Sequence, residues 1–171
     1  GARLHAACAS HMDDAVGRVL TALDKRGFRD DTIVVFFSDN GGHDTTSNTS
    51  QAYAGDYPNV KVAGHNTPLR GHKSQLYDGG IRSATIIRWP GKIAAGLQID
   101  RPTHAVDFFP TIAALAGYRP PQDLRWDGHD LGLLLLSPDK QPTPAVADRT
   151  IYYAGVGYRG SALRQGRWKL I

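Results

Sequence analysis

Six consecutive residues, Thr32-Ile33-Val34-Val35-Phe36-Phe37, are apolar or β-branched and run directly into Ser38-Asp39-Asn40-Gly41-Gly42. A run without polar alternation suits a strand covered on both faces, as in α/β sheets. The turn residues that end it place a carboxylate and an amide at the carboxyl end of a strand. Open α/β sheets gather their ligands there.

The flanking segments fit the same class. Ala2 to Arg26 reads as an amphipathic helix, with Cys8, Met12, Ala15, Val19 and Leu23 at steps of three and four and Gly27 as its C-terminal cap. Cys8 falls in that stripe and is expected in the core. Ser83 to Trp89 reads as a second buried strand closed by Pro90-Gly91, and Asp107 to Ala116 as a helix with Pro110 in its first turn. Ile151 to Tyr153, Ser161 to Arg164 and Arg167 to Ile171 read as short strands separated by glycine turns. The expected fold is therefore α/β: part of a mainly parallel or mixed sheet flanked by helices over 1–136, a linker over 137–149, and over 150–171 the start of a small antiparallel subdomain that the chain end truncates. No internal repeat is present.

Composition narrows the function. A hydrophobic fraction of 41% and a charged fraction of 21% over 171 residues suit a folded domain. The single cysteine excludes an internal disulfide and a cysteine zinc cluster. The leucines from Leu131 to Leu136 are too few to span a bilayer and Gly132 interrupts them. No signal peptide is visible, and the chain opens at Gly1 inside the first helix. The net charge of +4 comes from scattered basic residues without a Lys or Arg run, so it does not mark a nucleic-acid binder, and it also suits an enzyme for anionic substrates. All 16 acidic residues are Asp.

Two stretches carry candidate chemistry. Asp39 and Asn40 offer oxygen ligands suited to a hard cation, Ca²⁺ or Mg²⁺; the same residues also make ordinary turns. Pro68-Leu69-Arg70-Gly71-His72-Lys73 and Tyr77-Asp78-Gly79-Gly80-Ile81-Arg82 combine cations with glycines that allow a ligand close to the backbone. They read as an anion cradle or as a solvated basic loop. Between the two stretches, His43 to about Asn66 is a long polar loop containing Asn48-Thr49-Ser50, a glycosylation acceptor pattern.

Taken together, the two stretches resemble the sulfatase family of the alkaline phosphatase superfamily. The resemblance runs in order from His11-Met12-Asp13-Asp14-Ala15-Val16-Gly17-Arg18 through Thr32 to Gly42 and Pro68 to Arg82. It continues in Asp107-Phe108-Phe109-Pro110-Thr111, Leu115-Ala116-Gly117, Asp127-Gly128-His129-Asp130-Leu131 and Gly166-Arg167-Trp168-Lys169-Leu170-Ile171. It implies an alkaline-phosphatase-like sheet and hydrolysis of a sulfate ester, with Asp39 and Asn40 as the later pair of calcium ligands. Lys73 is implied as the lysine that touches sulfate and the leaving oxygen. Arg70 and Arg82 match the motif as residues that order the loop, Arg70 with a possible substrate contact. Asp78 stands where the family usually has Glu. His72 and His43 flank the implied site, His72 as a candidate catalytic group and His43 as a substrate contact. His5, His11, His104 and His129 read as ordinary histidines, and Trp89, Trp126 and Trp168 as packing residues.

The family's Cys/Ser-x-Pro-x-Arg motif, the source of its formylglycine nucleophile, has no counterpart in this chain, and neither have the two earlier aspartate ligands. The partners implied are a small-molecule or carbohydrate sulfate ester and the missing N-terminal part of the domain, with no nucleic acid and no membrane span. The isolated chain is expected to be inactive, and the family suggests a periplasmic or secreted location. Two other readings stay open: a phosphonate or phosphate monoester hydrolase of the same superfamily, and a non-catalytic oxyanion-binding module.

Overall fold

A computed structural model describes residues 2–43, 64–140, 142–155, 157 and 160–171. The loop with Asn48-Thr49-Ser50 lies outside them. The chain divides into two compact units, one of Gly1–Trp89 with Ala154–Gly160, the other of Pro90–Tyr153 with Ser161–Ile171.

The first unit opens with helix α1, Ala2–Lys25. Its end is a two-bond cap: Gly27, at φ +75°, donates to the Asp24 carbonyl (3.1 Å) and Phe28 donates to Leu23 (3.0 Å). Glycine takes this left-handed conformation without a Cβ penalty, so the expected cap is what forms. The expected burial of the stripe does not hold throughout. Ala15, Val16, Leu20 and Leu23 are half-buried, whereas Met12 and Val19 are exposed and Cys8 is an exposed free thiol. A periodic stripe marks which face would be covered, and no described residue covers it at Cys8.

Strands β1 (Val34–Phe37) and β2 (Thr85–Arg88) pair antiparallel, Val34 opposite Arg88 and Phe37 opposite Thr85. Helices beside small sheets agree with the α/β expectation, and an antiparallel pair is compatible with a mixed sheet, although no parallel pairing occurs among the described residues. The expected burial on both faces does not hold, since Phe37 and Ile86 are 47% and 62% exposed. The chain reverses between the two runs, and among the described residues neither strand has a second neighbour. Beyond β1, Ser38 N–H donates to the Ala84 carbonyl at 3.1 Å, which carries the pairing up to the Asp39 turn. At the other end, Trp89 Nε1 donates to the Asp30 carbonyl at 2.8 Å and Arg88 lies 3.9 Å from Asp24.

The second unit is organised around a buried carboxylate. Asp107 closes a 3₁₀ turn, Ala105–Asp107, and precedes helix α3, Phe108–Leu115. Its Oδ2 accepts from His104 N (2.7 Å), and its Oδ1 accepts from His129 N (2.9 Å) and Arg149 Nη1 (2.8 Å). Asp107 has no exposed surface, and the Arg149 side chain is 8% exposed. Burial by itself would raise the Asp107 pKa. The Arg149 hydrogen bond, the His129 and His104 N–H groups and the Arg149 charge outweigh it and hold the carboxyl below its ordinary value. One turn on, buried Thr111 accepts from Leu131 N at 2.9 Å. Gly128 fits against the Val106 carbonyl, where a Cβ would collide. The sequence stretches from Asp107 to Thr111 and from Asp127 to Leu131 are thereby locked together.

Pro110 sits in the first turn of α3, and Gly117 (φ +85°) ends it with the same two-bond cap as α1. Helices α4 (Gly132–Leu136) and α5 (Pro144–Ala147) supply Leu134 and Val146, which cluster with Leu131 and Ile99. Strands β3 (Thr150–Ala154), β4 (Ser161–Gln165) and β5 (Trp168–Leu170) form a sheet in that order, β4 and β5 antiparallel, at the positions read from the sequence. No helix of the described residues is long and apolar enough to cross a membrane.

Candidate active site

The turn after β1 is fixed by its own polar atoms. Ser38 Oγ donates to the Asn40 carbonyl at 2.8 Å, and Asn40 Nδ2 donates to the Gly41 carbonyl at 2.9 Å. With Nδ2 so engaged, Asn40 Oδ1 is the end of the amide left to accept or to ligate. Asp39, its neighbour, is exposed.

Backbone contacts between glycines bring the lysine loop to this turn. Gly41 N donates to the Gly80 carbonyl at 2.9 Å, and a Cβ on Gly41 would fall on the Gly79 carbonyl. Gly79 and Gly80 lie buried in helix α2, Asp78–Ile81. A Cβ on Gly79 would strike the Gly71 carbonyl and one on Gly80 the Gln75 carbonyl. Gly79 N also donates to the Arg70 carbonyl at 2.7 Å. Main chains this close exclude any side chain, which explains the glycine content of both motifs.

Asn66 completes the junction. Its Oδ1 accepts from Gly42 N (2.8 Å), while its Nδ2 donates to the carbonyls of Gly42 (2.9 Å) and Gly71 (3.1 Å). The Gly42 carbonyl also receives the Lys73 N–H at 3.1 Å. Lys73 thus begins from a backbone position tied to the residue two beyond Asn40.

The turn that presents Lys73 is closed by Gln75 N donating to the His72 carbonyl (3.0 Å), with His72 N donating back to Gln75 Oε1 (3.2 Å). Ser74 occupies it at φ +74°, a conformation usual for glycine. His72 Nδ1 lies 2.8 Å from the Lys73 carbonyl, an acceptor, so Nδ1 carries hydrogen there and a neutral ring has its lone pair on Nε2. The His43 and His72 rings lie parallel within 6°, with centroids 6.3 Å apart. The Arg70 guanidinium lies over the Tyr77 ring, 3.9 Å from its centroid, a stacking contact that orders the loop.

The structure therefore brings together the turn carrying Asp39 and Asn40 and the loop carrying Arg70, His72 and Lys73, and sets His43 against His72. Reading the sequence missed Asn66, Gln75 and the meeting of Gly41 with Gly79. Asn66 alone had a signal, as an amide able to mimic a peptide group at the edge of a glycine-rich loop.

A carboxylate and an amide oxygen on adjacent residues are hard donors and fit Ca²⁺ or Mg²⁺. They are two of the six to eight oxygens that calcium typically takes. No cluster of three or more His, Cys or Asp that could hold a metal occurs among the described residues.

The sulfatase family model matches residues 2–118. Steryl-sulfatase of Rattus norvegicus is 40% identical over 139 residues, which cover 80% of this chain and 23% of that protein. The crystal structure of the PsFucS1 sulfatase from Pseudoalteromonas sp. superposes with a TM-score of 0.69 at 26% identity, covering 93% of this chain and 28% of that one. The structure of Ps i-CgsB in complex with k-i-k-neocarrahexaose gives 0.71 at 29% identity, covering 92% and 31%. The chain thus spans less than a third of the length of such relatives. A family match over most of its length, with strand, turn and lysine loop assembled as described, shows that the chain belongs to the sulfatase family.

Proposed function

We propose that this chain supplies part of the active site for hydrolysis of a sulfate monoester, with Lys73 as its catalytic cation. The observation that carries this reading is the hydrogen bond from Lys73 N to the Gly42 carbonyl, which ties the lysine loop to the turn holding Asp39 and Asn40. Lys73 offers a movable ammonium that pairs with a sulfate oxygen and offsets charge growing on the alcohol oxygen as the S–O bond breaks, or gives that oxygen a proton. His72, with Nε2 available, and His43 contact the substrate beside it. Arg70 adds positive charge while its stacking on Tyr77 holds the loop in shape.

Asp39 and Asn40 would hold Ca²⁺, or Mg²⁺. Bound there, the ion would polarise sulfate oxygens and neutralise their charge. The attacking group, a formylglycine by family resemblance, belongs to a motif this chain lacks, so the chain by itself is expected to show no turnover of an aryl sulfate. Turnover that disappears in Asp39→Ala would contradict this. The substrate class is a small-molecule or carbohydrate sulfate ester.

In the full protein carrying this chain, Lys73→Ala is expected to lower kcat/KM on an aryl sulfate by about 10²–10³-fold, the scale for losing one preorganised charge-stabilising donor. Unchanged kinetics would remove Lys73 from the site. An aryl phosphate assayed in parallel separates sulfatase from phosphomonoesterase or phosphonate monoesterase action.

A further inference from the structure

We propose that Asn66 is a positioning residue for Lys73, acting through the Gly42 peptide; this rests on the reading of Lys73 as the sulfate-binding cation. Asn66 lies 24 residues from Gly42 in sequence, yet its amide pairs with both polar atoms of Gly42, accepting from N (2.8 Å) and donating to O (2.9 Å). Its second amide hydrogen reaches the Gly71 carbonyl at 3.1 Å. One side chain thus bridges the ends of both loops, on Gly42 and on Gly71, and it is half-buried. A Cβ on Gly42 would come within 2.9 Å of Asn66 Oδ1, so the two residues are fitted to each other.

The link to Lys73 runs through one atom. The Gly42 carbonyl accepts from Asn66 Nδ2 and from Lys73 N, at 2.9 and 3.1 Å. The Lys73 carbonyl is held in turn by His72 Nδ1 at 2.8 Å. Both main-chain polar atoms of Lys73 are therefore fixed, and the point from which its flexible side chain departs depends on where Gly42 O lies. A hydrogen-bonding amide is needed at Asn66, not merely a side chain of its size. Asp has the same shape, but an ionised carboxylate turns oxygen toward two carbonyls that require donors.

The test is steady-state hydrolysis of 4-nitrocatechol sulfate by the full protein carrying this chain, with hydrogen exchange at the Lys73 amide as a readout independent of turnover. Asn66→Ala and Asn66→Asp are each expected to lower kcat by roughly 100-fold, the scale of a catalytic group displaced by about 1 Å, with KM changed far less. Lys73 amide exchange is expected to quicken at least tenfold in both. In a Lys73→Ala background, Asn66→Ala is expected to add no further loss, because a residue acting through Lys73 has nothing left to act on. If Asn66→Ala fails to fold, the near-isosteric Asn66→Asp carries the same test. Losses that multiply in the double variant, full activity in Asn66→Asp, or unchanged exchange at Lys73 would each overturn the inference while leaving Lys73 in its role. Full activity in Lys73→Ala would instead sink the functional reading, and the inference with it.

Discussion

Arg149→Met is expected to destabilise the second unit by about 3–5 kcal/mol, the cost typical of stranding one member of a buried ion pair. Methionine keeps most of the side-chain volume, so the loss reports the charge and its hydrogen bond rather than a cavity. Asp107 has no exposed surface and would retain only the His104 and His129 N–H groups. Its folded-state pKa now lies below the ordinary value of 3.8. A depressed carboxyl pKa contributes stability that is fully present above the unfolded value and lost as pH falls through the folded one, so the native unit should weaken only below about pH 4. In the variant two of the lowering influences are gone, and burial, the largest single influence, pushes upward unopposed by Arg149. The acid transition should therefore move to higher pH. Urea unfolding at pH 7 and melting along an acid titration measure both effects. A loss under about 1 kcal/mol would show that the pair behaves like an exposed one.

What the sequence disclosed divides by range. Gly27 and Gly117 were readable as caps because the bonds they complete lie within five residues. The strands near Thr32, Ser83 and Ile151 were readable because β-branched runs between turn residues are local signals. Burial was not. Phe37, Ile86 and Cys8 sit in apolar patterns and are exposed, since a pattern states which face prefers cover and not whether a neighbour provides it. Strand direction was not legible either, because β1 and β2 meet across a segment whose course no periodicity encodes.

The candidate site shows the same division. Asp39 and Asn40 stand out through their place at the end of a strand, and Lys73 through family resemblance within a basic, glycine-rich loop. The means by which their loops meet does not, because asparagine and glycine read as turn residues whatever they touch. Asn66 reaches Gly42 across 24 residues, and Asp107 reaches Arg149 across 42. Single polar residues making contacts at such range leave no trace in composition or period, although they decide which loops and segments hold together.

Gly41→Ala should separate the two loops of the site and lower hydrolysis of an aryl sulfate by at least as much as removing Lys73 itself. The added methyl would fall on the Gly79 carbonyl and lie 2.7 Å from its carbon and 3.1 Å from Gly80 Cα. Ordinary overpacking costs about 1–3 kcal/mol because neighbouring side chains yield. Here every obstructing atom is backbone. Gly79 cannot retreat, since its N–H is bonded to the Arg70 carbonyl at 2.7 Å and its Cα already faces Gly71. The strain must therefore be relieved by breaking the Gly41 N to Gly80 O bond. The Asp39 turn would swing away from the Lys73 loop, and both charged groups would lose their common frame. Gly17→Ala is the matching control: it lies within α1, nothing approaches within 4 Å of the new methyl, and hydrolysis should be unchanged. Melting temperature and kcat/KM measured on both variants in the full protein decide the matter. A Gly41→Ala protein with normal stability and turnover would mean that the glycine contact between the loops has no part in assembling the site.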